Sequence, residues 1–280
     1  YIMWWKNIDK LILTLISLLF ILGLFFSLAS TSLIASDKLN TNSYYFFFKH
    51  LIYIFIGIIF IITFSIINNK NLIKISWILF AVSFLALLLV PFLGIEVKGS
   101  KRWLDLPFLP RFQPIEILKP FAIMIIAILL GAKNFKSKYI SYFLSLSVLI
   151  PILLFLVMQP DIGQSFLLII TWLCLVFVSG INIYFFSSFI ILSILTLSFL
   201  ISYVPRFFYI RDRITSFIDP ANSDNTFQAD KASEAIINGG FFGRGIGEGI
   251  LKNNVPEAHT DYIIAVISEE FGAVVIILLM

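Results

Sequence analysis

Eight apolar runs, at about 11–34, 47–67, 72–94, 115–131, 139–158, 165–180, 183–203 and 262–280, constrain this chain more than any other feature. A helix crossing the hydrocarbon core of a bilayer needs about 20 apolar residues, and eight such runs leave an all-α polytopic integral membrane protein as the expected fold. Composition agrees: 60% of residues are hydrophobic and 13% charged, against roughly 25% charged in a soluble domain. An ordinary soluble globule and a disordered chain are both excluded. The first run is longer than the roughly 7–15 apolar residues of a cleavable signal and lacks a clear small-x-small site, so it is expected to be an uncleaved span. The sequence opens at Tyr1 and closes at Met280 within an apolar run, and both ends are expected to be clipped.

Tight connections such as Asn68-Asn69-Lys70 and Gly180-Ile181-Asn182 join several runs. Two loops differ, one at 96–113, rich in charge and proline, and a much longer one at 204–261. With the N-terminus in the cytoplasm, the inner loops carry Lys6, Lys10, Lys70, Lys74, Lys133, Lys136 and Lys138 against the single acid Asp9. The rule that favours Lys and Arg inside is applied to short loops, and there the count is seven inner to six outer. This orientation, with both distinctive loops extracytoplasmic, therefore rests on reserving the basic residues of 96–113 for a substrate. The net charge of +4 does not indicate nucleic-acid binding, because much of the excess lies in short loops beside apolar runs. One cysteine, Cys174, and two histidines, His50 and His259, supply neither a disulfide framework nor a histidine-ligated metal site.

Ionisable groups inside spans cost about 2.5–3.5 kcal/mol each on insertion scales, which makes them functional candidates. Glu116 and Lys119 start the fourth run three residues apart, on one helical face where they can pair. An interfacial pair snorkelling to water is the plain account; contact with a substrate is the other. Glu269 and Glu270 lie one third of the way into the last run, roughly 12 Å beyond Asp261 at about 1.5 Å per residue. At least one of them is expected to face the bundle interior. Gln159-Pro160-Asp161-Ile162-Gly163 breaks the run between spans five and six, where Asp161 is expected to cap the following helix. The glycine-dense segment 239–249 has no preceding strand and no βαβ context, so a nucleotide-binding loop is excluded. Close backbone turns are the favoured reading of those glycines, and a phosphate cradle is the alternative. The long loop closes on Val255-Pro256-Glu257-Ala258-His259-Thr260-Asp261, with four polar side chains gathered within five residues directly before the last run. A helix cap would need only one of them.

Three separated blocks together resemble the SEDS family (shape, elongation, division and sporulation proteins). They are Gly99-Ser100-Lys101-Arg102-Trp103 with Phe112-Gln113-Pro114-Ile115-Glu116-Ile117-Leu118-Lys119; Gln159-Pro160-Asp161-Ile162-Gly163; and Pro256-Glu257-Ala258-His259-Thr260-Asp261-Tyr262 running on to Glu269-Glu270-Phe271-Gly272. Ser100 and Ile115 depart from the family pattern without removing a charged group. Phe227-Gln228-Ala229-Asp230-Lys231-Ala232, the 243–249 glycines and Tyr44-Tyr45-Phe46 before Lys49 are closer to its division branch than to its elongation branch. The resemblance implies one membrane domain over 1–280 that carries eight of ten spans.

It further implies a peptidoglycan glycosyltransferase. Such an enzyme polymerises lipid II at the outer face of the bacterial inner membrane, here at the division septum. A class B penicillin-binding transpeptidase would be its partner, among other membrane proteins of the division complex. By the same resemblance Asp261 is the candidate catalytic base. Substrate would be bound by Lys49, Arg102, Gln113, Glu116, Lys119, Asp161, Glu257, His259 and Thr260. No metal ligand set is expected, although a divalent cation such as Mg or Mn would suit the diphosphate chemistry. A lipid II flippase is the competing class, since charge at membrane depth suits transport equally. A non-catalytic scaffold is the third class, and it leaves the 257–261 cluster without a purpose.

Overall fold

The computed structural model describes residues 8–28, 44–97, 100–107, 110–132, 137–218, 227–255, 258 and 262–280. It is mostly helical. The apolar runs form α1 (Lys10–Phe26), α2 (Tyr45–Ile66), α3 (Asn69–Leu93), α4 (Pro114–Gly131), α5 (Lys138–Met158), α6 (Ile162–Val178), α7 (Ile183–Tyr203) and, at the end, α10 (Ile263–Leu279). Among the described residues α2, α3, α4, α5 and α7 are long and apolar enough to cross a membrane, while α1 and α6 are apolar helices of 17 residues each.

The fold is mostly but not wholly helical, the exception lying at residues 94–104. There β1 (Gly94–Val97) pairs antiparallel with β2 (Ser100–Leu104), with a bulge between Ile95 and Glu96. The long loop is partly helical as well, holding α8 (Phe208–Ile218) and α9 (Phe227–Gly239). Both are amphipathic segments too polar to appear in a search for apolar runs.

The chain forms two compact units. The unit Ile67–Thr196 is organised around α3 to α6. Its core takes Ile115, Leu118, Ala122 and Ile126 from α4; Tyr142, Leu149, Ile152 and Leu156 from α5; and Leu168, Trp172 and Val176 from α6. The three- and four-residue spacings put each set on one stripe of its helix. Buried serines let the helices approach closely, as small residues do between membrane helices. Ser76, Ser83 and Ser165 each return their hydroxyl to a carbonyl four residues back, so these three hydroxyls are paired. Ser145 also accepts the indole N–H of Trp172 at 3.0 Å.

The other unit comprises Tyr1–Ile66 and Leu197–Met280. In it α1 and α2 pack together, Gly23 lying against the His50 ring, and Phe25 and Phe26 of α1 meet Phe271 of α10 at ring distances of 5.8 and 5.3 Å. A second small core, built from Ala232, Ala235, Val255, Ala258, Ala265 and Val266, joins α9 to the first half of α10. The final span is not the continuous helix expected, because Gly272 takes φ 82 and ψ 174 and breaks it.

Candidate functional site

The first cluster is assembled where three chain segments converge at one end of the Ile67–Thr196 unit. Leu104 at the end of β2 exchanges two backbone hydrogen bonds with Phe112, at 3.0 and 3.2 Å. That pairing closes the loop and delivers Gln113 to the N-cap of α4, with Pro114 at the first helical position, where its missing N–H costs nothing. The Gln113 amide donates to Asp161 Oδ2 at 2.8 Å. Asp161 stands at the N-cap of α6 but makes no side-chain cap bond, contrary to the capping expected of it. Its carboxylate turns instead toward Gln113 and toward Arg102, whose Nη1 lies 3.7 Å from Oδ1. Arg102, on β2, also donates through Nε to the Gln159 carbonyl at 3.2 Å and through Nη2 to the Pro160 carbonyl. The guanidinium therefore braces the turn between α5 and α6. The Gln159 amide is buried and has no hydrogen-bond partner among the described residues.

One turn further along α4 is a second polar group. Lys119 Nζ meets Glu116 Oε2 at 2.7 Å, which is the expected i,i+3 pair. Sequence reasoning did not reach Gln164, which closes the group by accepting from Lys119 at 2.8 Å and donating to Glu116 Oε1 at 2.7 Å. Its only sequence signal is its position one turn past Asp161, which is not enough to single it out. Lys119 is 16% exposed against 50% for Glu116, so the cation lies inward and the acid faces out. Pro120 removes the helical donor to the Glu116 carbonyl and loosens the helix at this level. The N-termini of α4 and α6 thus lie side by side with Arg102 and Lys119. Helix N-termini carry partial positive charge and free N–H groups, so the arrangement suits an anion.

The remaining candidates are not gathered here. Lys49 belongs to the other unit, where it is exposed and its Nζ stands 6.0 Å from the centre of the Tyr45 ring. Glu257, His259, Thr260 and Asp261 lie outside the described residues. Among the described residues no three His, Cys, Asp or Glu side chains converge as a metal site.

Glu269 and Glu270 are both buried, in keeping with the expectation that at least one faces inward. Glu269 Oε1 accepts from Asn238 Nδ2 at 2.9 Å and from the backbone N–H groups of Ile250 and Leu251 at 3.0 and 2.9 Å. Glu270 Oε1 accepts from the Gly247 N–H at 3.1 Å. Arg244 donates from Nε to the Asn238 carbonyl at 3.0 Å and from Nη2 to Asn238 Oδ1, tying Asn238 in place. The pair of acids is thus the anchor of the glycine-dense segment. The close-turn reading of those glycines holds at two positions in particular. A Cβ on Gly239 would collide with the Ser268 carbonyl, and one on Gly243, at φ 79, with the Glu270 carbonyl.

Comparison with known proteins adds a family context. The family model described as "Cell cycle protein" (FtsW/RodA/SpoVE) matches residues 9–280. The probable peptidoglycan glycosyltransferase FtsW of Caulobacter vibrioides is 27% identical over 279 residues, covering 97% of this chain and 68% of that protein. Its Coxiella burnetii counterpart is 34% identical over 263 residues, covering 90% of this chain and 68% of the relative. A chain of a solved peptidoglycan synthase complex, in which polymerization and crosslinking are coordinated, superposes with a TM-score of 0.73 at 21% identity, covering 98% of this chain and 74% of its own. The rod shape determining protein RodA of Thermus thermophilus gives 0.63 at 19% identity, covering 98% and 71%. These two structures share the fold.

Proposed function

The chain belongs to the FtsW/RodA/SpoVE family of multi-pass membrane proteins, and from that premise we propose that it is a peptidoglycan glycosyltransferase polymerising lipid II at the outer face of the inner membrane. Septal wall synthesis is its setting, and a class B penicillin-binding transpeptidase, with other membrane proteins of the division complex, its company. The domain over 1–280 carries eight of ten spans, and 96–113 and 204–261 are its outer loops. Relatives named for this activity support the reading. One observation carries the placement of the anionic substrate group: two helix N-termini, Arg102 and Lys119 converge on one end of the Ile67–Thr196 unit.

The reaction joins the 4-hydroxyl of one sugar to the anomeric carbon of another held on a lipid diphosphate. Asp261 takes the hydroxyl proton, the oxygen attacks the anomeric carbon, and the carbon–oxygen bond to the diphosphate breaks. The diphosphate leaves with the electron pair. A positioned base is worth about 10²–10⁴ in rate. Glu257, His259 and Thr260 orient the acceptor beside Asp261. Negative charge growing on the leaving group is met by Arg102, Lys119 and Lys49, and each fixed donor of this kind contributes on the order of 10²–10³. Asp161, itself held by Gln113, holds Arg102, while Glu116 holds Lys119 until substrate competes for it. A divalent cation such as Mg or Mn would supply further neutralisation at the diphosphate.

Arg102→Ala tests the placement. Presented with labelled lipid II and its transpeptidase partner, the full-length variant should polymerise roughly 10²-fold more slowly than wild type. Equal rates at equal folded yield would remove Arg102 from the site.

A further inference from the structure

The break in α10 is repaired by another segment of the same chain, and the repair fixes where that segment sits. In an unbroken helix the N–H groups of Ala273 and Val274 would bond the carbonyls of Glu269 and Glu270. Here those carbonyls accept from Arg244 and Gly245 at 2.9 and 3.0 Å, while Ala273 and Val274 donate to the carbonyls of Gly240 and Phe241 at 2.9 and 3.3 Å. The 240–245 backbone is thereby spliced into the helix between its halves. Phe241 is level with Val274, inside the uninterrupted apolar stretch 271–280.

At that level the segment turns large apolar side chains outward. Phe241 is 74% exposed and Phe242 87%, and Ile237 and Ile250 of the same segment are exposed as well. No ionisable residue occurs between Glu234 and Arg244, and the Arg244 guanidinium is turned onto Asn238. Water is a poor neighbour for such a surface, whereas lipid tails are not. Backbone at membrane depth is tolerated when its polar groups are paired within the protein, and the splice does that.

We propose that the tip around Phe241 and Phe242 is inserted into the acyl-chain region of the outer leaflet, so that the long outer loop is held to the bilayer at a point of its own. The inference rests on α10 entering the membrane and does not depend on the catalytic reading.

The test is spin-label accessibility in the full-length protein, reconstituted in phosphatidylethanolamine–phosphatidylglycerol vesicles on a Cys174→Ser background. Labels go on Phe242→Cys and Ile237→Cys, with Ile277→Cys as the lipid reference and Lys101→Cys as the water reference. The expected result is an oxygen-to-nickel-chelate accessibility ratio at Phe242 several-fold above that at Lys101 and close to that at Ile277. A water-like ratio at both Phe242 and Ile237 would overturn the proposal. Shielding of both labels from oxygen and chelate alike would overturn it too, by showing protein over the tip. A water-like Ile277 would remove the premise that α10 is a span and the proposal with it. A lipid-like Ile237 alone, should Phe242→Cys fail to fold, would support insertion.

Discussion

Removing the Glu269 carboxylate should release the glycine-dense segment from α10 while leaving the other unit folded. The carboxylate oxygen holds three donors, the Asn238 amide and the N–H groups of Ile250 and Leu251. In Glu269→Ala all three lose their acceptor. An orphaned buried donor costs about 1–3 kcal/mol, but Ile250 is exposed enough for water to replace its bond. Two effective losses give a penalty of about 2–6 kcal/mol. At about 1.4 kcal/mol per factor of ten, that is at least roughly 30-fold, and up to about 10⁴-fold, in the local opening equilibrium. Hydrogen exchange followed by mass spectrometry reads this directly. Amides at 244–251 should exchange faster by that factor, with Pro114–Gly131 unchanged. Glu269→Gln keeps an acceptor of the same shape and loses only the charge assistance, so its increase should stay under about tenfold. Unchanged exchange at Ile250 and Leu251 in Glu269→Ala would refute the anchoring role. So would equal effects of Ala and Gln.

Three further outcomes follow from the same geometry. Gly243→Ala places a Cβ against the Glu270 carbonyl at a φ of 79; the left-handed backbone alone costs about 1–2 kcal/mol, and folded yield in detergent should fall well below wild type. Trp172→Phe removes the 3.0 Å bond to Ser145; a loss of about 0.5–1.5 kcal/mol is expected, seen as a modest drop in melting temperature. Gln164→Leu removes the bridging amide while the direct Glu116–Lys119 pair stays; the expected change is a raised KM for lipid II with a smaller effect on kcat, and an unchanged KM would separate Gln164 from substrate binding.

The helices were legible because an unbroken apolar run of about 20 residues has few other uses. The hairpin at 94–104 was not. Gly94-Ile95-Glu96-Val97 is too short and too charged for alternation to register, and only pairing with Ser100–Leu104 makes it a strand. Glu116 and Lys119 were paired correctly because the contact is local to one helix. Gln164 joins them from 45 residues away, and nothing in its neighbours announces that. The turn at Asp161 had the residues of a helix cap, but the nearby Arg102 guanidinium and Gln113 amide offered its carboxylate stronger partners than its own backbone. Glu269 and Glu270 were marked by their depth as functional, and their work in the fold is to hold a loop. Spacing along one helix does not reveal that Asn238 and the amides of 247–251 arrive from another segment. The glycines of 239–249 carried the complementary half of that signal.

The most direct test is polymerisation of fluorescent lipid II by the full-length protein with its transpeptidase partner, wild type beside Asp261→Ala, with products resolved as glycan ladders. The account predicts ladders from wild type and none from the variant at equal complex yield. Ladders of equal length and rate from both would contradict the assignment of Asp261. Ladders from neither, with lipid II flipping detected in the same vesicles, would contradict the polymerase itself.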